Sequence, residues 1–182
     1  MARYFKAKLQ EVIEKAISDN CFEYTSEKVS HIEDLGENQK CSFTNNAVDT
    51  FKITNQTNAE ICLLSVDGCW FKSNEDSRCD GIVFNNREIC FFELKLNAVS
   101  NRNKTKKENF KKAISQLEST INFIKESFEA KNLKIEHTMQ AFVCMRPKSY
   151  PNNTATISQK RVEFLEKNSV PLFPENEKIF SY

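Results

Sequence analysis

The chain has 182 residues, a formal net charge of +1, 40% hydrophobic and 28% charged residues. That balance is ordinary for one soluble globular domain with a sizeable core. No apolar run approaches the length that spans a bilayer, and the start Met-Ala-Arg-Tyr-Phe-Lys lacks the apolar core of a signal peptide, so a cytoplasmic protein without membrane contact is expected. Two histidines, His31 and His137, leave little for a histidine-based metal site or triad, and the seven cysteines contain no Cys-x-x-Cys pair, so they are expected as reduced thiols.

In chain order, Phe5, Leu9, Val12, Ile13, Ala16 and Ile17 form one apolar stripe at helical spacing, which predicts a first helix ending near Asp19 and Asn20. Residues 21–58 are polar and weakly patterned, and are expected as an insertion after that helix. The apolar stretch 61–71 predicts a strand, interrupted by a turn at Asp67 and Gly68, with Trp70 and Phe71 packing inward.

Residues 79–95 are the most informative. Two apolar runs flank Asn85 and Asn86, residues that tolerate a tight turn, and predict a hairpin. With a two-residue turn, Asp80 faces Phe91 and stands diagonal to Glu93, roughly 7–8 Å away at the backbone. With a four-residue loop over 85–88, Asp80 faces Glu93 directly. In both registers Asp80, Glu93 and Lys95 share one face, because side chains alternate along a strand. A three-residue loop would separate them. Two carboxylates on one apolar face repel each other unless a cation joins them, and a hard divalent ion takes such oxygens.

Beyond the hairpin, residues 95–112 carry Lys95, Arg102, Lys104, Lys106, Lys107, Lys111 and Lys112 against one acid, Glu108, a run suited to phosphate oxygens. Phe110, Ile114, Leu117, Ile121, Ile124 and Phe128 then predict a long amphipathic helix. A strand over 139–145, a helix over 157–167 and short closing strands near 170–173 and 178–182 follow.

Asp80, twelve intervening residues and Glu93-Leu94-Lys95 on an apolar strand resemble the PD-(D/E)XK nuclease superfamily, although Cys79 stands where the proline of that name would be. Ala113-Ile114-Ser115-Gln116-Leu117 is similar to a pattern in some of its branches whose glutamine points toward the metal site. The resemblance implies a single α/β domain over residues 1–182 with a restriction-endonuclease-like core: helix, three-stranded meander, helix and a further strand in a mixed sheet flanked by helices, with 21–58 inserted. It implies a magnesium- or manganese-dependent nuclease acting on nucleic acid, with DNA expected. Asp80, Glu93 and the Leu94 backbone carbonyl would hold the metal, Glu14 would add a ligand from the first helix, Lys95 would position the attacking water, and Gln116 would support water or metal. Arg102, Lys104, Lys106, Lys107, Lys111 and Lys112 would bind the nucleic acid. A homodimer or a protein partner fits a nuclease without a recognition domain. The alternative is a catalytically silent nuclease-fold subunit that binds nucleic acid or a partner, for example in an antiviral defence system.

Overall fold

A computed structural model describes residues 2–13, 16–36, 40–72, 77–98, 100–152 and 154–181. Its elements are α1 (Ala2–Val12), β1 (Phe22–Thr25), β2 (Val29–Asp34), β3 (Cys41–Thr44), β4 (Phe51–Asn55), β5 (Ile61–Ser65), β6 (Gly81–Phe84), β7 (Glu88–Lys95), α2 (Asn103–Ala130), β8 (Thr138–Met145), α3 (Thr154–Asn168), β9 (Leu172–Phe173) and β10 (Glu177–Phe180). A mixed six-stranded sheet has the order β1-β5-β6-β7-β8-β9, antiparallel from β1 to β7 and parallel from β7 to β9. A second sheet of four strands has the order β10-β4-β2-β3. The α/β class and the expected meander β5-β6-β7, followed by a helix and a parallel strand, are therefore present.

The period-2 alternation of the central strands sorts their side chains into two cores. Cys62, Leu64, Ile82, Phe84, Ile89, Phe91, Ala141 and Val143 face a core shared with Phe5 and Leu9 of α1, with Phe110, Leu117 and Ile121 of α2, and with Phe164 of α3. Ile61, Leu63, Val83, Cys90, Phe92 and Phe142 face the other core, shared with Ile32, Phe51, Ile53 and Phe180 of the four-stranded sheet. The molecule is thus three layers, helices on a sheet on a sheet, and strands buried on both faces read as nearly continuous apolar runs.

This layering corrects the expectation for residues 21–58. They are not a loop-like insertion: β1 extends the central sheet, and β2, β3 and β4 build most of the second one. Those strands bury one face only, with Ile32 the sole large apolar side chain of β2 at 0% exposure, so their sequence signal is weak. The first helix is also shorter than expected. It ends at Val12, with the Ile13 N–H still donating to the Leu9 carbonyl at 3.1 Å, and Ile17 reaches the core outside the helix.

The cysteines correct a second expectation. Cys21 and Cys69 form a disulfide, with Cα atoms 5.6 Å apart, because the turn at Asp19–Cys21 lies against the loop after β5. The other five are free thiols, all buried. Burial lifts their pKa values well above normal, to about 12 at Cys62. Among the described residues no helix is long and apolar enough to cross a membrane.

Candidate metal centre

The β6–β7 register pairs Gly81 with Phe92 and Phe84 with Ile89, so four residues, 85–88, close the hairpin. The Asn85 side chain sets that loop: its Oδ1 accepts the N–H groups of Arg87 and Glu88 at 2.8 and 2.9 Å. Such a side-chain cap replaces the two-residue turn. Continued one step, the register puts Asp80 opposite Glu93, on the face that β7 turns toward α2.

The two acids hold each other through the backbone. The Asp80 N–H donates to Glu93 Oε2 at 3.1 Å, and the Leu94 N–H donates to Asp80 Oδ2. The Lys95 ammonium donates to Glu93 Oε1. Glu93 is 0% exposed, whereas Asp80 and the Lys95 side chain, at 18%, reach solvent in part. In an antiparallel ladder a residue's N–H and C=O point the same way. The Leu94 carbonyl accordingly faces the strand edge where Asp80 stands.

Burial dominates the electrostatics. It raises the Asp80 carboxyl to about 7, with Lys95 and the Leu94 N–H pulling the other way and the charges of Asp34 and Asp67 adding to the rise. Glu93 lies well above the usual carboxylate range, first through burial and then through the Asp80 charge. Burial would depress Lys95, but the two carboxylates outweigh it and keep the ammonium protonated.

This donor set is chemically suited to a hard dication. Among the described residues no three histidine, cysteine or acidic side chains gather for a metal. Magnesium, however, commonly takes one or two carboxylates and keeps several waters. Asp80, Glu93 and the Leu94 carbonyl supply oxygen donors, and a cation there would relieve the buried repulsion. Gln116 Oε1 is another buried oxygen, with no hydrogen-bond partner among the described residues.

The remaining predicted residues separate. Gln116 is buried on α2, and its Nε2 donates to the Arg78 carbonyl at 2.9 Å, so it touches the segment leading to Asp80. Glu14 lies outside the described residues. Lys106 does not face solvent: it is 8% exposed and its ammonium donates to Asn152 Oδ1 at 3.1 Å. Arg102, Lys104, Lys107, Lys111 and Lys112 are exposed. At about 100° per residue, Lys112 lies within about 40° of Gln116 around α2, whereas Lys104, Lys107 and Lys111 occupy the opposite flank. The basic run is therefore two surfaces rather than one.

Sequence reasoning missed Thr120, Arg78 and Asp34. Thr120 Oγ1 accepts the Cys79 N–H at 2.9 Å, and its position four residues beyond Gln116 was the available signal. Asp67, read as part of a turn, does cap the Gly68 N–H at 2.9 Å, while its charge also reaches Asp80.

Comparison of the chain with family models, with curated proteins and with solved structures found no match.

Proposed function

We propose that this chain is a divalent-metal-dependent nuclease with a restriction-endonuclease-like core, hydrolysing phosphodiester bonds of DNA. The observation that carries the reading is the facing pair Asp80 and Glu93, cross-linked through the Asp80 and Leu94 N–H groups, with Lys95 on the same face. Asp80, Glu93 and the Leu94 carbonyl hold magnesium or manganese. The bound ion supplies a water of lowered pKa and a charge that stabilises the transition state. Lys95, partly open to solvent, keeps its proton and orients the attacking water or a phosphate oxygen. Lys112 and Arg102 take the flanking phosphates, and Lys104, Lys107 and Lys111 a more distant stretch of the backbone. The proposed setting is cytoplasmic, with a second copy or a protein partner limiting the cut, as in an antiviral defence system.

A second reading has its own support. The Lys95 ammonium already neutralises Glu93 at the core of the site, which suits a catalytically silent nuclease-fold subunit that binds nucleic acid or a partner. One experiment separates the two. DNA is incubated with wild type, Glu93→Ala and Lys95→Ala in magnesium or manganese, and manganese is titrated calorimetrically. Wild-type cleavage lost in both variants supports the nuclease. Cleavage that survives both rejects it, and DNA binding without metal uptake favours the silent subunit.

A further inference from the structure

Asp80 lies one residue outside β6, at the end of the strand pairing. What precedes it is gripped by one flank of α2. Gln116 Nε2 donates to the Arg78 carbonyl at 2.9 Å. Thr120 Oγ1 accepts the Cys79 N–H at 2.9 Å and donates to the Gln116 carbonyl at 3.1 Å, a bond its hydroxyl makes within the helix. Arg78 Nη1 donates to the Ser119 carbonyl and hydroxyl, and its guanidinium carbon lies 5.0 and 4.9 Å from the ring centroids of Phe71 and Phe123. On the other side, the Val66 N–H donates to the Asp80 carbonyl at 2.9 Å. Both polar groups of the Arg78–Cys79 peptide are thereby bound to side chains of one long helix, and Thr120 is fully buried at the contact.

From this geometry we infer that Thr120 and Gln116 are positioning residues, which set the Asp80 carboxylate for metal from helix α2. The inference rests on Asp80 being a metal-binding carboxylate, and it gives Gln116 a different task from direct support of water or metal. Side chains that orient a ligand matter nearly as much as the ligand, and losing one typically weakens metal binding by about 10–100-fold. A donor to the Arg78 carbonyl and an acceptor for the Cys79 N–H, spaced by one helical turn, fix the Arg78–Cys79 peptide, the unit immediately before the one that carries the Asp80 N–H. A residue of purely structural importance would alter stability without this selectivity.

The test titrates manganese calorimetrically into wild type, Thr120→Val, Thr120→Ser and Gln116→Met, with urea unfolding of each and steady-state cleavage of DNA. Thr120→Val keeps the shape and removes the acceptor. Thr120→Ser keeps the hydroxyl. Gln116→Met removes the donor to Arg78 together with an oxygen that lacks a partner, and its urea unfolding shows whether the fold is kept. The expected result is a manganese Kd raised about tenfold in Thr120→Val and Gln116→Met, near wild type in Thr120→Ser, with kcat reduced and KM for DNA unchanged. A folded Thr120→Val with wild-type manganese affinity overturns the inference. Should Thr120→Val not fold, wild-type affinity in Gln116→Met overturns it equally. A wild type that takes up no manganese overturns the metal-centre reading as well, which distinguishes the two failures.

Discussion

Gly81 and Phe92 face each other across the hairpin that carries the two acids, and the Phe92 ring fills the space a side chain at Gly81 would need. A Cβ there would stand 2.4 Å from Phe92 Cζ and 2.9 Å from Cys41 Sγ. The ring belongs to the core between the two sheets, so it has nowhere open to retreat. Gly81→Ala is expected to destabilise the protein by about 1–3 kcal/mol, the usual cost of overpacking, measured by urea unfolding. Adding Phe92→Leu should recover part of that loss in a double-mutant cycle. Additive effects of the two changes would contradict the contact.

Asp80 makes stability depend on pH with a definite sign. Burial raises its folded pKa to about 7, against 3.8 ordinarily. The folded state therefore binds more protons than the unfolded chain between those values, so the contribution is fully present below about pH 4 and is lost as pH rises through 7. Relative to Asp80→Asn, which does not titrate, wild type should weaken from pH 5 to pH 8 in chelator, and Glu93 adds a loss of the same sign. Magnesium at pH 8 should restore wild type but not the variant. Urea unfolding across the series reads this directly, and a wild type that gains on the variant with pH would refute it.

Lys106 and Lys112 should separate stability from nucleic acid binding. Lys106→Ala loses a buried stem and its bond to Asn152, costing about 1–2 kcal/mol of stability. Its DNA affinity should keep the wild-type salt dependence. Lys112→Ala should leave stability unchanged and lower the slope of log affinity against log salt by about 0.9. Fluorescence anisotropy over a salt series checks both, and a slope change in Lys106→Ala would show that its ammonium reaches the backbone after all.

The Cys21–Cys69 link closes a chain segment of sequence separation 48. In the chain-entropy account, opening a loop of that size costs about 4 kcal/mol, so Cys69→Ser should lower the urea midpoint. Thiol titration gives a sharper reading. Five thiols should react after denaturation without reductant and all seven with it, while the buried five stay slow in native protein. Seven reactive thiols without reductant would exclude the bond.

The chain alone indicated the central hairpin and, for a two- or four-residue loop, the sharing of one face by Asp80, Glu93 and Lys95, because a period of 2 keeps its parity through an even change in loop length. It also indicated α2, α3 and a strand at β8, while the parallel pairing of β8 with β7 came only from the fold. Only the tertiary structure chose the four-residue loop, since that choice lies in one Asn85 side chain capping two N–H groups. It alone revealed the second sheet: Ile32, Phe51 and Ile53 gain a reason to be strand residues only when the back face of the central sheet is there to cover. It alone turned Lys106 inward, bonded Cys21 to Cys69 and set Thr120 against Cys79. Each of these joins residues far apart in the chain, and no local periodicity carries such a pairing.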